Sequence, residues 1–271
     1  MFRTTQGFAM VAICAGAALV ARASDPQAPS INPRQTIALP QPEVASDPAP
    51  VEPVISSITL SPDGRHVVTA GDDHQVRVWL RDSQQGLVLA TQYGNHSDWV
   101  RAAAFRPDGL VLATGGDDRR VRFWDFPEGQ SPVVLPGVLV GIRAMAFSPA
   151  SEQLAVVGFE PQVHIYEGES GRVERELVAP GGDLRTVAFS PNGAQLAAGG
   201  REGTVRLWRT ADGTVLHDLS AGSHRVSALQ YSDDGTSLAV GSDDCKVRLW
   251  NPETGSLVTE LAAQPGRVMA L

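Results

Sequence analysis

Arg106-Pro107-Asp108-Gly109, with Trp124 eighteen residues beyond the arginine, is one copy of a pattern that recurs along the chain. The tetrapeptide returns as Ser61-Pro62-Asp63-Gly64, Ser148-Pro149-Ala150-Ser151, Ser190-Pro191-Asn192-Gly193 and Ser232-Asp233-Asp234-Gly235. The aromatic landmark returns in the same register as Trp79, Tyr166, Trp208 and Trp250. Both markers step by 45, 42, 42 and 42 residues. Two independent markers in one register establish an internal repeat.

The second copy reads as four short antiparallel strands. Val100 to Phe105 is an apolar strand, and Arg106-Pro107-Asp108-Gly109 turns it, because proline presets φ at the second turn position and glycine suits the fourth. Val111 to Thr114 is the next strand, followed by a tight turn at Gly115-Gly116-Asp117-Asp118. Val121-Arg122-Phe123-Trp124 alternates apolar and polar side chains as a half-buried strand does, and Ser131 to Leu135 supplies a fourth. One such sheet cannot cover both of its faces. Radial stacking buries them against each other, with the recurring aromatics between neighbours, each covering about 150–250 Å². The pattern therefore predicts an all-β fold: a β-propeller of four-stranded antiparallel blades, with five full repeats plus the first strand of a sixth. The blades fall at about 54–92, 99–136, 141–179, 183–219 and 225–263, with a partial sixth at 267–271.

These residues resemble the WD-repeat family over about residues 54–271. Trp124-Asp125 is the one complete Trp-Asp pair, the other repeats ending Trp79-Leu80, Tyr166-Glu167, Trp208-Arg209 and Trp250-Asn251. Gly94-Asn95-His96 and Gly222-Ser223-His224 are degenerate versions of the family's Gly-His element. The resemblance implies a structural hydrogen-bonded set in each repeat, built from an aspartate six residues before the tryptophan, a histidine, a Ser/Thr and the tryptophan. The aspartate maps to Asp73, Asp118 and Asp244, and the third and fourth repeats carry Glu160 and Glu202 there, so their sets are expected to be incomplete. In the second repeat His96, Thr114, Asp118 and Trp124 supply a full set, while Trp79, Trp208 and Trp250 hold the aromatic position elsewhere.

The resemblance also implies a partner-binding rim, formed where the first strand of each repeat begins and just before the turn aspartate. Carried over position by position, this gives Trp99, Arg101, Arg143, Asp183, Arg185 and Arg225, with Asp72, Asp117, Phe159, Arg201 and Asp243. Trp and Arg dominate binding hot spots, and Arg101, Arg143 and Arg185 recur in register. The alternative is that these arginines pair with neighbouring turn acids. Members of the family usually close with seven blades. A chain of five blades and one strand is thus expected to be a fragment of a longer reading frame, the alternative being a five-bladed ring with a loose tail.

Residues 1–23 read as a secretory signal: Arg3 makes a positive start, Phe8 to Val20 is apolar, and Ala21-Arg22-Ala23 precedes a cleavage site at Ser24. The apolar run is shorter than the roughly 20 residues that span a bilayer. An exported protein in the periplasm, cell envelope or medium is expected, attached to a membrane only if that segment stays uncleaved. Eight prolines within residues 24–53 make a semi-stiff, disordered linker.

Composition narrows the function. Lys and Arg number 22 against 30 Asp and Glu, a net charge of −8 that argues against nucleic acid as a partner. Of two cysteines, Cys14 lies in the signal and leaves Cys245 alone, so neither a disulfide nor a cysteine metal site is expected. No G-x-S-x-G elbow, H-E-x-x-H or phosphate loop occurs, and Gly115-Gly116 and Gly199-Gly200 recur at turn positions where backbone geometry explains them. Asp72/Asp73, Asp117/Asp118 and Asp243/Asp244 track the repeat, which favours one structural and one solvated aspartate per turn over a cation-binding ring. The expectation is a scaffold without catalytic residues, cofactor or metal, binding a protein or peptide through the rim. The alternatives are a periplasmic propeller hydrolase or lactonase using channel carboxylates and a metal ion, and a membrane-attached sensory propeller.

Overall fold

A computed structural model describes residues 53–94, 96–129, 132–135 and 140–271. The segments 1–23 and 24–52, read above as a signal and a linker, lie outside the described residues. Twenty strands form five four-stranded antiparallel sheets, each in simple up-and-down order. The first sheet holds β1 (Ile55–Leu60), β2 (His66–Gly71), β3 (Val76–Asp82) and β4 (Gly86–Tyr93). The second holds β5 (Val100–Phe105), β6 (Val111–Gly116), β7 (Val121–Asp125) and β8 (Val133–Val134). The third holds β9 (Ile142–Phe147), β10 (Gln153–Gly158), β11 (Gln162–Glu167) and β12 (Val173–Val178). The fourth holds β13 (Leu184–Phe189), β14 (Gln195–Gly200), β15 (Thr204–Arg209) and β16 (Val215–Ser220). The fifth holds β17 (Val226–Tyr231), β18 (Leu238–Ser242), β19 (Val247–Asn251) and β20 (Ser256–Glu260).

The recurrent tetrapeptide closes the first hairpin of each sheet. In four of the five copies its last residue is glycine, with φ of 70°, 75°, 68° and 71° at Gly64, Gly109, Gly193 and Gly235. Each of these glycines donates its N–H to the carbonyl of the first residue of the tetrapeptide at 2.8–2.9 Å. Only glycine occupies that left-handed region without a steric cost.

The first strands β1, β5, β9, β13 and β17 pack side by side in that order and form the inner wall. Between successive sheets lie four apolar clusters, and Trp124, Tyr166, Trp208 and Trp250 each sit in the cluster facing the preceding sheet. The core is thus a series of interfaces, as the sequence pattern implied.

Among the described residues the fourth strand of the second sheet is Val133–Val134, with Leu135 donating its N–H to the Val121 carbonyl at 2.9 Å, and Ser131, where the predicted strand begins, lies outside them. One segment differs from the sequence expectation. Residues 267–271 form no strand, because no neighbouring strand receives their hydrogen bonds. Val268 nonetheless packs over Gly241 as Val226 packs over Gly199 one repeat earlier.

Candidate functional site

At the end of each sheet where the first strand begins, the ladder between first and second strands skips one residue. The skipped residues are Ser56, Arg101, Arg143, Arg185 and Ser227. A bulge leaves its extra residue out of the ladder and re-aims the side chain. Three of the arginines predicted for the rim are therefore bulge residues.

In four of the five sheets the second strand ends in a glycine against which the incoming backbone packs, and Ser242 holds that place in the fifth. A Cβ on Gly71, Gly116, Gly158 or Gly200 would stand 2.1, 1.8, 2.3 or 2.2 Å from the carbonyl oxygen of Val54, Trp99, Gly141 or Asp183. The expectation that Gly115-Gly116 and Gly199-Gly200 serve tight turns is thereby corrected. None of the four has positive φ, and Gly116 and Gly200 are glycine because another backbone runs against them. The same carbonyls accept the N–H of the following residues: Asp72 at 3.2 Å, Asp117 at 2.9 Å, Phe159 at 3.3 Å and Arg201 at 3.1 Å, with Arg225 accepting from Asp243 at 2.9 Å. The residue before the first strand and the residue after the second strand are thus tied together beside the bulge in every sheet.

Over the second, third and fourth sheets these positions merge into one band. Arg101 donates to Asp117 Oδ2 from Nε at 2.9 Å and from Nη2 at 2.8 Å. Arg143, from the next sheet, reaches the other oxygen of Asp117 with Nη1 at 3.1 Å. Arg185 donates from Nη2 to Asp183 Oδ2 at 2.9 Å, and its Nε makes an ion contact with Oδ1 at 2.6 Å. The guanidinium carbon of Arg101 lies 4.0 Å from the Trp99 ring centre, and that of Arg143 lies 4.0 Å from the Phe159 ring centre. Arg185 approaches the same Phe159 ring at 5.0 Å. Trp99 and Phe159 remain 37% and 45% exposed, so each offers an aromatic face to solvent. Burial pulls the Arg143 pKa down, helped by Arg101 and Arg185 and opposed by Asp117 and Asp183.

The structure brings Trp99, Arg101, Arg143, Phe159, Asp183 and Arg185 together. It leaves Arg201 and Arg225 outside: Arg201 is exposed, Arg225 is half-buried, and neither joins an ion pair among the described residues. The first acid of each Asp pair is engaged at the rim and not merely solvated. Asp72 accepts from the Val54 N–H at 2.8 Å, and Asp243 accepts from Ser227 Oγ at 2.9 Å.

The structural set is complete in the second repeat. Trp124 Nε1 donates to Thr114 Oγ1 at 2.7 Å, Thr114 lies 2.8 Å from His96 Nε2, and His96 Nδ1 lies 3.0 Å from Asp118 Oδ2. Arg122 Nη1 lies 2.8 Å from His96 Nδ1 and donates to Asp118 Oδ2 at 2.7 Å, so guanidinium, imidazole and carboxylate meet at one point. Burial lowers the His96 pKa. Burial also pushes Asp118 up, but His96 and Arg122 outweigh it and hold the carboxyl below the usual range. Trp79 donates to Thr69 at 2.8 Å. Trp208 packs in a cluster with Ala198, which has no hydroxyl to offer. Trp250 Nε1 is buried without a partner, because Val240, which has no hydroxyl, stands where the second repeat has Thr114.

Sequence reasoning missed the cation opposite the acid. Asp73, Asp118 and Asp244 pair with Arg77, Arg122 and Arg248 at 2.6, 2.7 and 2.7 Å, and Glu160 pairs with His164 at 2.7 Å. The third repeat therefore has a hydrogen-bonded pair of its own at this place, carboxylate to imidazole, despite Glu160. The signal was present as Val-Arg opening the third strand at Val76, Val121, Val205 and Val247. Glu202 has no such pair, since Arg206 turns to Asp218 at 2.6 Å.

Among the described residues no three His, Cys, Asp or Glu side chains gather as a metal-binding group, and no helix is long and apolar enough to cross a membrane. A cleft of about 450 Å³ between the fourth and fifth sheets, lined by Pro191, Asp233, Asp234 and Glu253 among others, has neither an aromatic nor a cationic side chain. The rim band combines both. The model of a family described as the IFT122 first beta-propeller matches residues 54–264. No curated protein matches the chain.

Proposed function

Because the chain belongs to the IFT122 first beta-propeller family, a WD-type propeller, we propose that it is a non-catalytic scaffold that binds a protein or peptide through the Trp99–Phe159 rim. One observation carries the reading: two exposed aromatic rings each lie under a guanidinium that a bulge aims and a carboxylate fixes. A site fixed before a partner arrives pays less ordering entropy on binding. Exposed Trp and Phe flanked by Arg have the composition of a binding hot spot, and a rigid sheet scaffold presents them at one end.

The reading extends to location. A binding scaffold displayed beyond the inner membrane fits the apolar segment Phe8 to Val20 and the small-x-small site at Ala21-Arg22-Ala23. Mass spectrometry of the mature N-terminus is expected to begin at Ser24, and a chain still beginning at Met1 would oppose export with cleavage.

The test of binding uses the full chain and a library of dodecapeptides capped at both ends, read by fluorescence anisotropy. Selected peptides are expected to lose about tenfold or more in affinity on Trp99→Ala or Phe159→Ala. Asp233→Asn, at the cleft of the opposite end, is expected to leave affinity unchanged. Peptides that bind equally to all three variants would place the binding surface elsewhere, and no binding at all would remove the reading.

A further inference from the structure

We propose that Arg143 is the seat for one acidic side chain of the partner, in an extended peptide segment whose neighbouring apolar side chains lie on Trp99 and Phe159. The inference rests on the rim-binding reading above and adds the chemistry that the rim selects.

Charge counting within the band gives the first reason. Arg101, Arg143 and Arg185 face only Asp117 and Asp183, so one guanidinium is in excess. Geometry says which one. Arg101 holds Asp117 Oδ2 with two nitrogens, and Arg185 meets both oxygens of Asp183, with a hydrogen bond from Nη2 and an ion contact from Nε. Arg143 has a single carboxylate contact, Nη1 to the remaining oxygen of Asp117 at 3.1 Å. A planar guanidinium offers five N–H donors and binds a carboxylate best through two of them, so Arg143 keeps capacity that its neighbours have spent.

The surroundings give the second reason. Arg143 lies 4.0 Å from the Phe159 ring centre, and Asp117 links it to Arg101, which covers Trp99. An inorganic anion would use the charge and leave both aromatic faces wet. A peptide with an acidic residue between apolar ones uses all three. The chain as a whole carries −8, so this excess cation is a local exception that orients an acidic segment toward the rim and away from the Asp- and Glu-lined cleft.

The test takes the selected capped dodecapeptides and replaces each Asp by Asn and each Glu by Gln. On the full chain the amide forms are expected to bind about tenfold more weakly or worse. Arg143→Gln is expected to weaken the acidic peptides to the same degree and to erase the preference for acid over amide. Arg143→Lys is expected to restore part of that preference, since charge remains and the fork is lost. The amide swap on the unaltered protein needs no variant to fold. Amide peptides that bind as well as acidic ones while still needing Trp99 would overturn the acidic seat and leave the rim reading standing. Binding confined to peptides with a free C-terminal carboxylate would also overturn it, because the seat would then read chain ends. Absence of any peptide binding would remove both.

Discussion

At the scale of single residues, the second repeat shows what one hydroxyl is worth. Thr114 Oγ1 accepts from Trp124 and faces His96, both fully inside the protein. Thr114→Val keeps the shape and strands two polar groups, so urea unfolding is expected to show a loss of about 2–3 kcal/mol. Val240 occupies the matching place in the fifth sheet, and Trp250 Nε1 lacks a partner there. Val240→Thr is expected to change stability by less than about 1 kcal/mol in the same measurement, the new bond to Trp250 offsetting the buried hydroxyl. His96 adds a pH dependence whose sign follows from burial. Its folded pKa is lowered below the ordinary 6.5, so the unfolded chain binds the proton first as pH falls. The His96 contribution is therefore intact above about pH 6.5 and is lost as pH drops through the lowered folded value. Unfolding free energies at pH 7.5 and pH 5 are expected to differ more for the wild type than for His96→Leu. Equal differences would mean that His96 does not carry this slope.

At the scale of the element, the informative object is the bulged junction between first and second strands. Gly116 stands against the Trp99 carbonyl, where an added Cβ would sit 1.8 Å from the oxygen, and Gly182 has no heavy atom within 4 Å of such a Cβ. Gly116→Ala must displace the start of β5, with an expected cost above about 2 kcal/mol and a shift in the near-ultraviolet signal of Trp99. Gly182→Ala, free of both contact and positive φ, is expected to be neutral or to stabilise by up to about 1 kcal/mol in thermal unfolding. These glycines mark how far the sequence could be read. The repeat, its hairpin turns and the interface aromatics were legible because each depends on spacing along the chain. The bulges were not, since Arg101, Arg143 and Arg185 look like ordinary alternating strand residues until the ladder is seen to skip them. Gly116 and Gly200 were misread as turn glycines because close approach and positive φ leave the same letter in the sequence. The rim residues were nameable one by one, but that Arg143 shares Asp117 with Arg101 is a contact between sheets, and a within-repeat alignment does not contain it.

At the scale of the whole molecule, the stack is quasi-one-dimensional. Each apolar cluster joins only consecutive sheets, so stability is close to a sum of sheet and interface contributions. The rim band crosses two of those interfaces, from the second sheet to the third and from the third to the fourth. Binding and interface strength are therefore coupled, and a weakened interface should loosen the band without touching any of its side chains. Leu154 tests this: it is fully buried in the cluster between the second and third sheets and lies outside the band. Leu154→Ala is expected to cost about 2–5 kcal/mol at that one interface. Calorimetry is then expected to resolve the single transition into two, the first and second sheets separating from the other three, and peptide affinity at the rim is expected to fall with it. Val258→Ala, 60% exposed on β20, is the control and is expected to change stability by less than about 0.5 kcal/mol. A Leu154→Ala protein that still unfolds in one transition, merely shifted to lower temperature, would show that the five sheets act as one cooperative unit. The rim would then be held by the whole stack and not by its two local interfaces.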